Sequence, residues 1–303
     1  MLVLIVGATG VIGRETARCL RAAGQSVRGM TRSAERARDL AARGIEPVIG
    51  DLVDAASLDR ACAGIDAVVA AAHSMLGRGK HRSEAVDDLG HRSLIDAAKR
   101  ARVGRFVYLS ARGVAPDHPI DFFRTKWAIE QYLAASGLAY TVLRPSAIME
   151  WHAHTFNGKS LLEKGRTVIL GTGTKRRNFV AARDVALVIA QVLATDAPAH
   201  RIMSIVGPGD YSNDEVAQLY ASTAGVPART THLPRGVAAT LSTLARPLHP
   251  GIARIMRLSG LRDDAFPETS DTADLASEHV VGAVSLETFI RERVLEHRAA
   301  RTI

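Results

Sequence analysis

The first half of the chain alternates between two hydrophobic periods. Leu2 to Val6 is a short apolar run, typical of a strand buried on both faces, and it leads through glycines into a helical pattern that ends at Gly24. The alternation then predicts strands at 26–31, 45–50, 65–72, 105–110 and 139–144, and helices at 34–43, 54–62, 83–101 and 122–135. Strand and helix units repeated in this way require right-handed crossovers, so the pattern predicts an α/β fold with a doubly wound parallel sheet.

After Pro145 the predicted elements are more widely spaced. They comprise strands at 167–170 and 202–206 and helices at 183–193, from Asn213 and from Leu286. No internal repeat or Pro-rich linker marks a boundary. We expect residues 1–150 to form a Rossmann core, and residues 151–303 to add the last strand of the sheet and a smaller, partly helical region on the substrate or lid side.

Composition excludes several classes of protein. With 303 residues, 47% of them hydrophobic and 23% charged, the chain is predicted to be globular, and no apolar run approaches the ~20 residues of a membrane span. The opening apolar run is too short for a signal peptide. Cys19 and Cys62 form no CxxC pair, so we expect neither a disulfide framework nor a metal site, and we predict a cytoplasmic protein.

The charge of +8 comes from arginines scattered along helices, and we therefore expect no nucleic-acid partner. One stretch differs, because residues 216–262 contain no Asp or Glu. Arginines and apolar residues alternate there, which fits either a substrate lid or a basic surface that meets an anionic membrane. Pro247 and Pro250 interrupt any continuous helix and favour the lid.

The clearest chemical signal follows the first strand, where the sequence reads Gly7-Ala8-Thr9-Gly10-Val11-Ile12-Gly13. Gly7 permits a tight turn, Gly10 lets the backbone approach a pyrophosphate at the helix N-terminus, and Gly13 allows helix and strand to pack closely. A glycine triplet between a strand and a helix predicts a dinucleotide site.

The end of the second strand bears on the choice of cofactor. An NAD-selective site places a carboxylate there, whereas this chain has Arg32, which suits a 2′-phosphate. We therefore predict NADP(H), with NAD(H) left open and an ordinary exposed arginine as the alternative. Asp51 and Leu52, after the third strand, fit a contact with adenine, although Asp51 could equally cap the following helix.

These residues resemble one family. The positions that carry the resemblance are the glycine motif, Arg32, Gly50-Asp51-Leu52, Phe106 to Ser110, Lys126 with Glu130, Leu143-Arg144-Pro145, and Asn178-Phe179-Val180 with Asp184-Val185-Ala186. At these positions the chain resembles the NmrA-like atypical short-chain dehydrogenases/reductases. The resemblance covers residues 1 to about 206. It implies an NAD(P)-binding Rossmann protein whose cofactor passes Ala72, His73, Lys126 and Pro145.

The chain departs from the wider superfamily at its catalytic motif. Catalytic members carry Tyr-x-x-x-Lys, and counting back from Lys126 gives Phe122, which has no ionisable group. Resemblance to the phenylcoumaran and isoflavone reductase branch implies that Lys126 positions the ribose or acts as a base. The alternative is a surface lysine. His152 or His154 is a candidate replacement acid, with ordinary polar-pocket or surface histidines as the alternative.

Two function classes stay open. The first is an oxidoreductase that uses NADPH to reduce a quinone-like or conjugated small molecule without the usual tyrosine. Its acceptor would lie in an apolar slot formed by Phe122, Ile148, Met149, Trp151 and Phe156. The second is a non-catalytic NADP(H)-sensing regulator or assembly factor with a protein partner. A sugar-nucleotide epimerase fits less well, because it relies on the missing tyrosine.

Overall fold

The computed structural model describes residues 1–195, 199–234 and 278–301, together with single positions between 236 and 254. From residue 235 onward, most of the basic stretch 216–262 lies outside the described residues. The chain forms two compact units. The first unit comprises Met1–Arg144 and Val185–Ser204, and the second comprises Pro145–Asp184 and Ile205–Ile303. The domain division at residue 150 stays a prediction.

The first unit is built on a central sheet in which the strands from β1 to β6 pair in parallel. Its strands follow the order β3-β2-β1-β4-β5-β6-β10, in which β1 pairs with β2 on one side and with β4 on the other. The strands are β1 Leu2–Val6, β2 Ser26–Thr31, β3 Glu46–Ile49, β4 Ala67–Ala70, β5 Arg105–Leu109, β6 Tyr140–Pro145 and β10 Arg201–Val206. All four residues of β4 are buried, as a strand covered on both faces requires.

Helices follow the strands of this sheet. They are α1 Val11–Ala22, α2 Ala34–Ala42, α3 Ala55–Cys62, α4 His91–Arg100, α5 Asp121–Ala134 and α7 Ala182–Ala194, the last beginning in the second unit. The pattern over 83–101 predicts one helix, but the structure divides it into a π-helical segment, Glu84–Gly90, followed by α4. Apolar side chains such as Leu4, Val68, Leu94 and Phe106 form the core. The predicted doubly wound Rossmann fold is confirmed.

The second unit contains shorter elements that the sequence pattern largely does not predict. A three-stranded sheet has the order β11-β9-β7, and β8 pairs with β12 in a separate parallel pair. The elements are β7 Ala147–Ile148, a π-helical segment Glu150–Gly158, α6 Lys159–Lys164, β8 Thr167–Leu170, β9 Arg177–Val180, β11 Asp210–Tyr211, α8 Asn213–Ala224, β12 Thr230–Leu233, β13 Glu278–Val281 and α9 Leu286–Ala300.

Buried aromatic and aliphatic side chains form a core within the second unit, among them Met149, Phe179, Tyr220 and Phe289. The Ser212 hydroxyl caps α8, where it forms a capping box with Glu215. Among the helices that the structure describes, none combines the length and apolar character needed to cross a bilayer.

Candidate functional site

The loop between β1 and α1 is held close to neighbouring backbone at its first and third glycines. Gly7 has φ +96°, and a Cβ there would lie 2.8 Å from the nitrogen of Ala72. A Cβ on Gly13 would lie 2.1 Å from the carbonyl oxygen of Gly7, so only glycine fits. Gly10 is the N-cap of α1 and supplies no side-chain hydrogen bond, which leaves the first N–H groups of the helix for a ligand.

Arg32 and Asp51 lie at the ends of β2 and β3. Arg32 is exposed, whereas Asp51 is half-buried and accepts hydrogen bonds from His81 Nε2 at 2.7 Å and from the Val53 N–H at 3.3 Å. Burial alone would raise the pKa of Asp51, but these hydrogen bonds and the charges of His81 and Arg32 outweigh burial and lower it. Asp51 does not cap α3, because the N-cap is Asp54.

Leu52 and Ala72 occupy different environments. The side chain of Leu52 is 4% exposed and belongs to the core of the first unit. Ala72 is half-buried beside the glycine loop, as the close approach of its nitrogen to Gly7 shows. Of these two predicted cofactor residues, only Ala72 therefore has appreciable exposed surface.

His73, Phe122 and Lys126 come together in the first unit. The exposed ring of His73 stands edge-on to Phe122, with the centroids 6.0 Å apart. Lys126 Nζ lies 5.2 Å from the centroid of Phe122, so the four-residue spacing does place both side chains on one helix face. Phe122 is only 5% exposed, and the position of the superfamily's phenol is therefore a buried apolar ring.

Lys126 is buried, which excludes the alternative of a surface lysine. Its Nζ donates to the carbonyl oxygen of Leu109 at 2.6 Å. Burial lowers the pKa of Lys126 to about 8, while the carboxylates of Asp87 and Glu130 act in the opposite direction. The amine therefore exists in both protonation states close to neutral pH, as a group that positions or exchanges a proton requires.

The sequence pattern did not single out a polar cluster that borders Lys126. Asp87 is buried and accepts from the Ser74 N–H at 2.7 Å and from Ser83 Oγ at 2.5 Å. His91 is also buried, and loss of hydration lowers its pKa to about 4. Buried polar atoms without a hydrogen-bond partner among the described residues include His91 Nε2, Tyr108 Oη and Ser110 Oγ. The π-helical segment, which a regular helical period does not reveal, carries Asp87 into this cluster.

The other predicted acceptor residues belong to the second unit. Trp151 and Phe156 are 38% and 41% exposed, with ring centroids 6.3 Å apart, and Ile148 is half-buried. Met149, in contrast, is 1% exposed and packs in the core, because it faces Phe179 and its neighbours rather than solvent. Pro145, the last residue of β6, is buried at the start of this unit.

His152 is half-buried, and its ring lies 5.7 Å from Phe156. Loss of hydration, followed by the charge of Arg177, lowers the pKa of His152 to about 3. The imidazole is therefore neutral near pH 7 and carries no acidic proton to donate, which argues against the predicted role as a replacement acid. His154 makes a structural contact, since its Nδ1 lies 3.1 Å from the Tyr220 hydroxyl.

The first unit fits a dinucleotide. Its loop admits no side chain at Gly7 or Gly13, its helix N-terminus is uncapped, and a cation and a carboxylate stand after β2 and β3. No group of three or more His, Cys, Asp or Glu residues in the described part of the chain is arranged to hold a metal ion.

Comparison with known proteins agrees with this geometry. A family model described as NAD(P)H-binding matches residues 7–196. The chain belongs to this NAD(P)H-binding family. Its cofactor is therefore NAD(P)H, and the NmrA-like resemblance of the sequence is confirmed.

Relatives in the family differ in what they do. An NAD(P)H azoreductase from Xenophilus azovorans is 32% identical over 229 residues, which is 75% of this chain and 76% of that protein. A Photosystem II assembly factor, Ycf39 of Guillardia theta, is 28% identical over 234 residues, which is 77% of this chain and 74% of that one. Family membership alone therefore leaves the activity open.

Solved structures share the fold over nearly the whole chain. Triphenylmethane reductase of Citrobacter sp., complexed with NADP(H), has a TM-score of 0.73 at 20% identity and covers 97% of this chain and 100% of its own. The NADPH-dependent quinone oxidoreductase QOR2 of Escherichia coli, complexed with NADPH, has a TM-score of 0.72 at 22% identity, with coverage of 98% and 99%. At these identities the likeness establishes the fold.

Proposed function

We propose that the protein is an NADPH-dependent reductase that transfers a hydride to a quinone-like or otherwise conjugated small molecule. The observation that carries this proposal is Phe122, a buried ring beside Lys126 at the position of the superfamily's catalytic phenol. The residues for holding the cofactor are retained, while the usual proton donor is lost. An acceptor whose reduced form is already stable as a phenolate or neutral species tolerates that loss.

Each residue then has a defined task. When bound, the cofactor supplies the hydride. The N–H groups that follow Gly10 hold the pyrophosphate, and the Arg32 guanidinium binds the 2′-phosphate, which selects NADPH over NADH. Lys126 holds a ribose hydroxyl, or takes up a proton as a base, for which a pKa of about 8 suits it.

The acceptor is a small molecule with an aromatic or conjugated body. In the second unit Trp151 and Phe156 present exposed aromatic surface that suits such a body. The azoreductase relative and the two reductases of similar fold are named for acceptors of this chemistry, which supports the proposal. Nucleic acid and membrane partners are not part of it, and a cytoplasmic location stays a prediction.

A second candidate is a non-catalytic NADP(H)-sensing regulator or assembly factor. The similarity to Ycf39 favours it, and the absence of the phenol suits it equally well. Sugar-nucleotide epimerase chemistry remains the weakest option, since it relies on the hydroxyl that Phe122 lacks.

A screen of NADPH oxidation against quinones, azo dyes and enones tests the proposal. We expect turnover with at least one conjugated acceptor, and no turnover by Gly13→Ala, whose added methyl group collides with the Gly7 carbonyl. Tight NADPH binding without turnover of any acceptor would favour the regulator instead.

A further inference from the structure

The second unit contains an arginine that has no ion-pair partner among the residues that the structure describes. Arg177, the first residue of β9, is half-buried, and its Cζ lies 5.3 Å from the ring centroid of Phe179. One Nη2–H donates to Asn213 Oδ1 at 2.5 Å. Among the described residues, no carboxylate lies within ion-pair distance of Arg177. Burial alone lowers the pKa of Arg177 to about 10, with no acidic side chain to offset it.

Neighbouring arginines of the same unit are arranged differently. Arg176 forms an ion pair with Glu215 at 3.3 Å, and Arg183 forms one with Glu292 at 3.0 Å. Removing a guanidinium from water without a counter-charge costs free energy, so partly buried arginines are normally paired. Arg177 keeps four of its five N–H donors free of protein hydrogen bonds among the described residues, which is the arrangement expected of a ligand-binding arginine.

The polar groups around Arg177 are neutral. Asn213 Oδ1 accepts from Arg177 Nη2 at 2.5 Å and from Asn157 Nδ2 at 3.4 Å. Asn157 is buried and also donates to the carbonyl oxygen of His152 at 2.8 Å. The ring of His152 is neutral near pH 7, because its pKa is lowered to about 3, and it therefore adds no charge of its own. A cation surrounded by neutral polar groups favours an oxyanion as its ligand.

Acidic groups on the adjoining helix are already occupied. At the start of α8, Asp214 Oδ1 contacts His232 Nε2 at 2.8 Å, and Glu215 contacts Arg176. Glu215 is therefore partly neutralised by Arg176, and the Asp214 carboxylate is hydrogen-bonded to His232 rather than to Arg177.

Aromatic surface adjoins these donors within the same unit. His152 contacts Phe156, which pairs with Trp151, and all three lie on the π-helical segment Glu150–Gly158. Asn157, on the same segment, and Arg177 both donate to Asn213 Oδ1, at 3.4 and 2.5 Å, so the cation is close to this segment. A cation beside exposed aromatic rings suits a ligand with a flat ring and an acidic substituent.

We propose that Arg177 binds the oxyanion of an aromatic acid, whose ring rests on Trp151 and Phe156. The oxyanion is a carboxylate, a sulfonate or a phosphate monoester. Identifying this ligand with the reducible acceptor rests on the proposed function, in which case the preferred acceptors are anionic; the binding site itself does not depend on turnover.

Titration calorimetry on the full-length protein without cofactor tests the site. The probes are naphthoate, naphthalene sulfonate and naphthyl phosphate, with uncharged naphthol as the reference. We expect the best anion to bind at least about tenfold more tightly than naphthol, as one charged hydrogen-bonding contact provides. The three anions distinguish carboxylate, sulfonate and phosphate. Equal affinity for naphthol and all three anions would overturn the proposal.

Two variants separate Arg177 from general charge and from folding. Arg177→Gln should remove the advantage of the anions and leave naphthol binding unchanged, whereas Arg176→Gln, which removes a neighbouring paired arginine, should change neither by more than about twofold. Arg177→Lys should retain part of the advantage. NADPH affinity, measured for each variant, reports whether the first unit is intact. An unchanged anion preference in Arg177→Gln would contradict the proposal even if turnover is found.

Discussion

Arg144 and Arg177 are both partly buried arginines, but they differ in the group that accepts their hydrogen bonds. Arg144 donates to both carboxylate oxygens of Glu130, at 3.1 and 2.6 Å, and the Glu130 side chain is 1% exposed. Arg177 donates to a neutral amide. In the first arrangement the Glu130 carboxylate neutralises the charge and links α5 to β6. In the second arrangement the guanidinium can bind an anionic ligand. Burial of an arginine therefore does not by itself distinguish a structural role from a binding role, but its partner does.

The largest expected effect on the free energy of unfolding comes from breaking the pair between Arg144 and Glu130. Glu130→Gln should lower the free energy of unfolding by about 3–5 kcal/mol, because it removes the buried carboxylate that faces the Arg144 guanidinium. Urea denaturation in the absence of cofactor measures this loss. Asp59→Asn, which breaks the exposed pair with Arg100, serves as the control and should have a much smaller effect on the free energy of unfolding. Similar small losses in both variants would remove the distinction between the two arginines.

Lys126 is a second buried cation, and it lacks a direct ion pair in the described structure. Its pKa is about 8 in the folded protein against 10.5 in the unfolded chain, so the unfolded chain binds more protons between these values. Stability should therefore rise with pH through this window, by at most about 3 kcal/mol. Denaturation at both ends of the window should show this rise in the wild type, and a smaller rise in Lys126→Met. Parallel pH profiles would argue against a buried amine.

Arg32 extends the comparison to an exposed arginine that binds a ligand. Arg32→Ala should weaken NADPH binding by roughly 10- to 100-fold, the size of one charged contact, and change NADH binding by less than about twofold. Fluorescence titration of both cofactors measures the difference. Equal losses for NADPH and NADH would show that Arg32 does not contact the 2′-phosphate.

The smallest expected effect on stability is at Arg177 itself. Arg177→Met should leave the free energy of unfolding unchanged or raise it by up to about 1 kcal/mol, because a half-buried and unpaired charge is removed. Denaturation under the conditions used for Glu130→Gln gives a direct comparison. A loss as large as that of Glu130→Gln would place Arg177 with Arg144 as a structural arginine.

Local patterns predicted the first unit well. The apolar run of β1 and the glycines at 7, 10 and 13 define their conformation within a few residues, and the spacing of Phe122 and Lys126 places them on one helix face. Whether a side chain points into the core depends on packing against residues that are distant in the sequence. The sequence therefore could not show that Leu52 and Met149 pack into cores.

The second unit depends on contacts between distant residues. Strand β9 has only four residues and a polar first half, so its sequence does not show the alternation of a half-buried strand. Arg177 was one of 33 arginines, and its distinguishing feature is a contact with Asn213, 36 residues away. The sequence pattern likewise did not reveal Asp87, because a π-helical segment does not follow the regular helical period. In this segment the Asp87 carboxylate lies where its charge acts on Lys126.

The central claim is that a bound NADPH reduces a conjugated acceptor on this protein without a tyrosine acid. A single-turnover experiment tests it most directly, with NADPH deuterated at nicotinamide C4 on each face in turn, an excess of enzyme and a quinone or azo acceptor. We predict that acceptor reduction and NADPH oxidation occur at the same rate, and that deuterium on one face only slows this rate. The wild-type protein, which has Phe122 in place of the tyrosine, should carry out the reaction. Bound NADPH that stays unoxidised with every conjugated acceptor would contradict the claim.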